Sequence, residues 1–338
     1  MRIGIVNDLP LAVEALRRAV LHKPGHDVIW IATNGAQAVE LCAQDTPDLV
    51  LMDMVMPGMD GVETTRRIMA QSPCAILIVT VSVGVNAARV YEAMGQGALD
   101  AVDTPTFGLG DWSESARPLL AKIDTIQKLI RDKNASQDAF AQAQRHGLAP
   151  AGKALVAIGA SAGGPAALSS VLQGIPKDFA AAIVIIQHVD AQFAEGMAQW
   201  LGQTCALPVR VAREGDMPTP GVVLLAATND HMIFKGAGQL GYTPKPLDYP
   251  YRPSVDIFFQ SACTLWPGTV VGVLLTGMGR DGALGLKALR NKGCYTMAQD
   301  AASCAVYGMP KAAAQLDAAV DIVSLQLIAP KLVSLFSP

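Results

Sequence analysis

Five times over the first 130 residues an apolar run is followed by a segment of helical spacing. The runs are Arg2–Asp8, Val28–Ala32, Leu49–Asp53, Ala75–Thr80 and Ala101–Val102. The helical segments are Leu11–Val20, Gly35–Cys42, Val62–Met69 and Ala87–Met94, with Leu119, Ile123, Ile126 and Ile130 marking a fifth. Strands that alternate with helices predict a parallel sheet covered on both faces, an α/β fold. Ligands in such sheets sit at the carboxyl ends of strands. Asp8, Asp53 and Thr80 fall there. Two carboxylates on neighbouring strand ends suit a hard divalent cation such as Mg²⁺, although either one alone reads better as a turn or helix-cap residue.

The 338 residues suit two domains, and 51% hydrophobic content is ample for two cores. Apolar runs such as Ala181–Ile186 and Val270–Leu275 are far shorter than the ~20 residues of a membrane span, so membrane insertion is not expected. Met1–Val6 reads as a strand rather than a signal peptide. The six cysteines form no C-x-x-C pair, which suits reduced thiols in a cytoplasmic protein. A net charge of −3 gives no hint of a nucleic-acid partner. Residues 1–122 carry 9 Lys and Arg against 14 Asp and Glu, so the acidity lies in the first half. A polar, Ala/Gln-rich stretch and Gly147–Gly152 then mark a boundary. Asn134–Arg145 has the composition to prolong the preceding helix, and His146 reads as a solvated residue.

Beyond that boundary three more apolar strands end in polar groups. Ala154–Ile158 runs into Gly159-Ala160-Ser161-Ala162-Gly163-Gly164-Pro165. Ala181–Ile186 ends in Gln187-His188, and Thr269–Leu275 in Thr276-Gly277-Met278-Gly279-Arg280-Asp281-Gly282. In a doubly wound sheet the three lie along one edge. Ser161 then reads as a nucleophile, His188 as its base and Asp281 as the group that orients the imidazole. The same glycine-rich turn also reads as a phosphate cradle, but its spacing is G-x-x-x-G-G with no Lys-Ser/Thr pair after it. His231 either borders the cleft or opens a hairpin over Met232–Lys235 and Gln239–Thr243. For Arg252 an internal ion pair is favoured over a clamp on a target carboxylate.

The segment Leu51–Gly61, with Met56-Pro57-Gly58 after Asp53, resembles the phosphoacceptor loop of response-regulator receiver domains. The resemblance covers residues 1–122. It implies Asp53 as the phosphorylated aspartate, Mg²⁺ held by Asp8, Asp53 and the Val55 carbonyl, and Thr80 as the switch hydroxyl. Two positions depart from that pattern. Asn7 stands where a second acid is usual, and Thr104 stands where a lysine is usual before Pro105. The first weakens the cation site, and the second removes the ammonium that would pair with Asp53.

Gly159-Ala160-Ser161, Gln187-His188, Arg252-Pro253-Ser254-Val255-Asp256, Leu275–Gly282 and Tyr307-Gly308-Met309-Pro310 occur in the order of the chemotaxis methylesterase family CheB. The resemblance implies a (βα)5 receiver over 1–122, a helix extension and linker over 123–151, and a doubly wound, mostly parallel catalytic domain over 152–338. It implies the triad Ser161, His188 and Asp281, an oxyanion contribution from the Met278 backbone N–H, and no cofactor for ester hydrolysis. The expected substrate is the cytoplasmic domain of a methyl-accepting chemoreceptor, and the expected phosphodonor is a CheA-type histidine kinase. Ala162 departs from the threonine common in the family. Met1–Arg18, Asn7 and Thr104 resemble most a Wsp-type branch, whose pathway controls a diguanylate cyclase.

Overall fold

The computed structural model describes residues 1–83, 86–105, 112–133, 153–236, 238–249 and 251–336. The chain divides into two compact units, Met1–Gln137 and Asp138–Pro338. The expected continuation of a helix through Asn134–Arg145 and the solvated His146 lie outside the described residues.

The first unit runs β1 (Arg2–Val6), α1 (Pro10–Leu21), β2 (Asp27–Ala32), α2 (Gly35–Gln44), β3 (Leu49–Met52), α3 (Gly61–Gln71), β4 (Ala75–Thr80), α4 (Ala87–Gly95), β5 (Asp100–Asp103) and α5 (Trp112–Lys133). All strand pairs are parallel, in the order β2-β1-β3-β4-β5. The order reverses between β1 and β3, which is where a ligand crevice opens in such a sheet. Successive strand side chains point to opposite faces. Ile3, Ile5, Leu49, Leu51, Leu77 and Val79 therefore share one face, where they pack with Leu16, Ala19 and Val20 of α1 and Leu119, Ile123 and Ile126 of α5. The last two show that this core reaches past residue 122 along α5. On the other face Trp30 covers Gly4 so closely that a Cβ there would lie 2.3 Å from the indole. Helix starts follow the local chemistry: Asn34 caps α2 and Asp60 caps α3, each accepting the backbone N–H of the third helical residue.

The second unit continues with β6 (Ala154–Ala160), α6 (Gly164–Gln173), β7 (Ala182–Gln187), α7 (Ala191–Thr204), β8 (Val209–Val211), β9 (Val223–Leu225), the antiparallel hairpin β10 (His231–Phe234) and β11 (Leu240–Thr243), and α8 (Val255–Leu265). It closes with β12 (Thr269–Leu274), α9 (Ala283–Asn291), β13 (Tyr295–Gln299), α10 (Met309–Gln315), β14 (Asp321–Val323) and α11 (Leu325–Phe336). Its main sheet has seven parallel strands in the order β14-β13-β12-β6-β7-β9-β8. The chain starts in the middle, at β6, and winds outward both ways, so β6 lies between β7 and β12. The hairpin packs on α8, where Phe234 meets Phe258 and Trp266 at ring separations of 5.6 and 5.3 Å. No described helix is long and apolar enough to cross a membrane.

Candidate active site

Three loops meet at the carboxyl end of β7-β6-β12. Ser161 follows β6 directly, and three hydrogen bonds fix its backbone. Its N–H donates to the Thr276 carbonyl at 3.0 Å, and its carbonyl accepts from Gly164 N at 2.7 Å and Gln187 Nε2 at 2.9 Å. Gly163 turns the chain into α6 with φ +72°, a left-handed conformation that glycine adopts without strain. From the β12 side, Gly277 approaches so closely that a Cβ would lie 2.8 Å from Ser161 Cβ and 2.3 Å from Met309 Sδ. Met278 is the next residue, so its backbone runs beside the serine turn. Ala162 lacks the expected hydroxyl, but its carbonyl accepts from Thr276 Oγ1 at 3.0 Å.

His188 follows β7, one position past the register pair Ala160 and Gln187. Its N–H donates to the Ala160 carbonyl at 3.1 Å. Its ring Nε2 lies 2.7 Å from Asp281 Oδ2. The ring Nδ1 is buried and has no hydrogen-bond partner among the described residues. If Nε2–H donates to the carboxylate, Nδ1 carries the lone pair and is the nitrogen able to accept a proton. The His188–Asp281 pair joins the loops after β7 and β12, which flank the strand that ends at Ser161. A catalytic hydrogen bond to the nucleophile often tightens only when substrate arrives.

Asp281 takes donors on every side. Besides His188, it accepts from Ser254 Oγ at 2.8 Å, Val255 N at 2.7 Å and Asp256 N at 3.1 Å. It therefore sits at the N-terminus of α8, where free N–H groups and the helix dipole favour an anion. Burial pushes the Asp281 carboxyl up, but the hydrogen bond and charge of His188 and the N–H groups of Asp256 and Val255 outweigh it. The carboxyl ends below its ordinary range. Asp256 follows the opposite balance. Burial raises it above the usual range, and Gly285 N at 2.6 Å and Tyr249 Oη at 2.9 Å hold it in place.

Several of these neighbours escape sequence reasoning. The Tyr251 ring stacks on His188 at 4.7 Å, 6° from parallel, and no local pattern announces it. A serine before an apolar run is a helix-cap signal, as Ser254 proves to be, but its bond to Asp281 spans 27 residues. His231 opens β10 and is fully buried. Its Nδ1 accepts from Ser254 N at 3.2 Å and its Nε2 meets the Pro246 carbonyl at 3.2 Å, so it supports the Asp281 donors from behind. Arg252 is exposed, and its guanidinium donates to the Leu247 carbonyl rather than to the carboxylate expected for an internal ion pair.

A second polar cluster occupies the carboxyl end of the first sheet. Val6 of β1 is in register with Met52 of β3, so Asn7 and Asp8 lie beside Asp53, whose N–H bonds the Val6 carbonyl at 3.0 Å. Asp53 is buried and accepts from Met54 N at 2.6 Å. Burial pushes its carboxyl above the ordinary range. The Met54 and Val55 N–H groups oppose this, and the charge of Asp8 adds to it. Two acids with excess negative charge and nearby backbone oxygens fit a hard cation. No three acidic, His or Cys side chains converge among the described residues. Asn7 spends its Oδ1 on Leu9 N at 2.8 Å, helping to launch α1. Thr80 ends β4, and its hydroxyl accepts from Asn86 Nδ2 at 3.0 Å. Thr104 donates its N–H to the Thr80 carbonyl at 2.8 Å and brings no cation to the cluster.

Comparison with known proteins finds the same two parts. The family model of the CheB methylesterase matches residues 156–332, and that of the response regulator receiver domain matches residues 3–106. A protein-glutamate methylesterase/protein-glutamine glutaminase of Burkholderia thailandensis is 61% identical over 337 residues, 99% of this chain and 97% of that protein. One of Pseudomonas aeruginosa is 58% identical over 336 residues, 99% of this chain and 100% of that protein. The crystal structure of the Thermotoga maritima CheB methylesterase catalytic domain is 32% identical, with a TM-score of 0.51, and covers 55% of this chain and 100% of its own.

Proposed function

The chain belongs to the CheB methylesterase family, with a response regulator receiver domain ahead of the catalytic unit, and from that premise we propose how its residues divide the work. It is a carboxylic ester hydrolase that acts on glutamate γ-methyl esters of protein, with glutamine deamidation as a second activity, under phosphorylation control. The observation that carries the assignment of residues is the 2.7 Å His188–Asp281 pair beside the Ser161 turn.

Ser161 Oγ attacks the γ-carbonyl while His188 Nδ1 takes its proton. Asp281 holds Nε2–H and offsets the imidazolium charge. The Met278 N–H donates to the developing oxyanion. The proton on His188 then passes to the leaving group, giving methanol from an ester or ammonia from glutamine. Water, deprotonated by the same imidazole, cleaves the acyl-enzyme to glutamate. None of these steps calls on a cofactor.

In the receiver, Asp53 is the phosphoacceptor, and Asp8, Asp53 and the Val55 carbonyl are the groups that would hold Mg²⁺. When bound, the cation neutralises charge on the acids and the incoming phosphoryl group. Thr80 is the switch hydroxyl and would exchange its bond from Asn86 for one to the phosphoryl group. A histidine kinase of the CheA type is the donor, and a methyl-accepting chemoreceptor is the substrate. A Wsp-type output onto a diguanylate cyclase is the finer reading, supported by Asn7 and Thr104.

The test is methanol release from a methylated chemoreceptor fragment by the full chain, wild type against Ser161→Ala, with and without Mg²⁺ and acetyl phosphate. Release that needs Ser161 and rises with the phosphodonor is expected. Release that ignores the phosphodonor removes receiver control. No release from a receptor that an active methylesterase demethylates removes the enzyme assignment.

A further inference from the structure

An imidazole fixed only at Nε2 keeps one freedom. It can rock about the Nε2···Oδ2 axis and swing its other nitrogen away from the serine. In this chain the face of the ring is held as well. Tyr251 stacks on His188 at a centroid distance of 4.7 Å and an interplanar angle of 6°. At its hydroxyl end the tyrosine meets the loop after β12. Gly279 lies there with φ +80°, and a Cβ on it would come within 2.7 Å of Tyr251 Oη. The phenol thus touches both the ring of the base, with its face, and the loop that carries Met278, with its hydroxyl end. Three residues further on, Ser254 caps α8 and donates to Asp281 at 2.8 Å. The stretch Tyr251–Asp256 therefore supplies both the contact on the face of His188 and three donors to its carboxylate partner.

From this geometry we infer that Tyr251 is a positioning residue for the general base: its ring fixes the plane of the His188 imidazole and stabilises the imidazolium formed as Ser161 attacks. The inference rests on the esterase reading above. Its physical content is twofold. A stacked aromatic removes the rocking motion, so Nδ1 spends its time in the attack geometry rather than searching for it. The electron-rich face of the phenol also attracts a cation, and proton transfer from Ser161 puts that charge on His188, so the interaction strengthens in the transition state. The hydroxyl is not needed for either effect.

The experiment compares full-length wild type, Tyr251→Phe and Tyr251→Leu by three measurements. These are the rate at which a fluorophosphonate labels Ser161, kcat and KM for methanol release, and the His188 ring-proton resonances, assigned with His188→Gln. Phe keeps the face and is expected within about twofold of wild type throughout. Leu is expected to lower the labelling rate and kcat about tenfold, the scale of one face contact, while KM stays within about twofold. The His188 protons move downfield in Leu alone, because they leave the ring current of the tyrosine. A Leu variant that labels as fast as a reactive wild type overturns the inference alone, as does a Phe variant as slow as Leu. Wild type that resists the phosphonate overturns the esterase reading and this inference with it.

Discussion

Asp281→Asn tests the site most severely, because it keeps the shape and removes only charge and one acceptor. On the carboxylate, Oδ2 takes His188 Nε2 and Val255 N, and Oδ1 takes Ser254 Oγ and Asp256 N. An amide offers one acceptor oxygen, so one of these pairs must face an NH₂ group. If the oxygen stays toward His188, Ser254 turns its hydroxyl and the buried Asp256 N–H is orphaned, at about 1–3 kcal/mol. Losing the anion at the α8 N-terminus costs roughly 0.3–2 kcal/mol more. A total near 3 kcal/mol lowers the melting transition of the catalytic unit by roughly 6–12 °C.

The same change leaves the imidazolium without a counter-charge, and removing the acid of such a triad costs about 10⁴-fold in turnover. Calorimetry on the full chain and phosphonate labelling of Ser161 read the two effects. Because Asp281 is held below the ordinary carboxylate range, its contribution is present above about pH 4 and is lost as pH falls through the lowered value. The stability gap between wild type and Asp281→Asn should therefore narrow as pH falls below about 4. A variant that melts within about 1 °C of wild type and keeps a tenth of its labelling rate would refute the reasoning.

Gly277→Ala places a methyl 2.8 Å from Ser161 Cβ, and its displacement of Ser161 should cost about 100-fold in esterase rate, read by methanol release. His231→Ala leaves the Ser254 N–H and the Pro246 carbonyl without their ring partner and opens a cavity. It should destabilise the catalytic unit by roughly 2–5 kcal/mol in a urea titration and slow Ser161 labelling through the loosened Asp281 donors. Asp53 has the opposite sign to Asp281. Its raised carboxyl is favourable when neutral, so its contribution is present below about pH 4 and is lost as pH rises through the raised value. Asp53→Asn should accordingly raise the receiver melting temperature at pH 7. Mg²⁺ at about 100 times its Kd should add roughly 2.7 kcal/mol to the wild-type receiver and nothing to Asp8→Ala/Asp53→Asn, as calorimetry would show.

The strand and helix succession was legible because each period is written locally. Leu49–Met52 and Ala182–Ile186 are buried along their length and read as unbroken apolar runs. The polar residue that ends each run marks the loop where chemistry gathers, so Asp53, Ser161, His188 and Asp281 were visible one by one. The departures Asn7 and Thr104 were visible too, as missing charge. The spent Oδ1 of Asn7 and the 2.8 Å bond from Thr104 to Thr80 were not.

What the sequence by itself determined is the set of elements, the residues at their ends and the family they belong to. Only the tertiary structure decided which nitrogen of His188 faces Asp281, that α8 points its N-terminus at that carboxylate, that His231 stands behind Ser254, and that Tyr251 covers the imidazole. The physical reason is range. Periodicity and capping act over a few residues and are written in neighbours. A ring stacked across 63 positions or a hydrogen bond across 93 depends on how strands are ordered and how helices pack, and no local pattern encodes that.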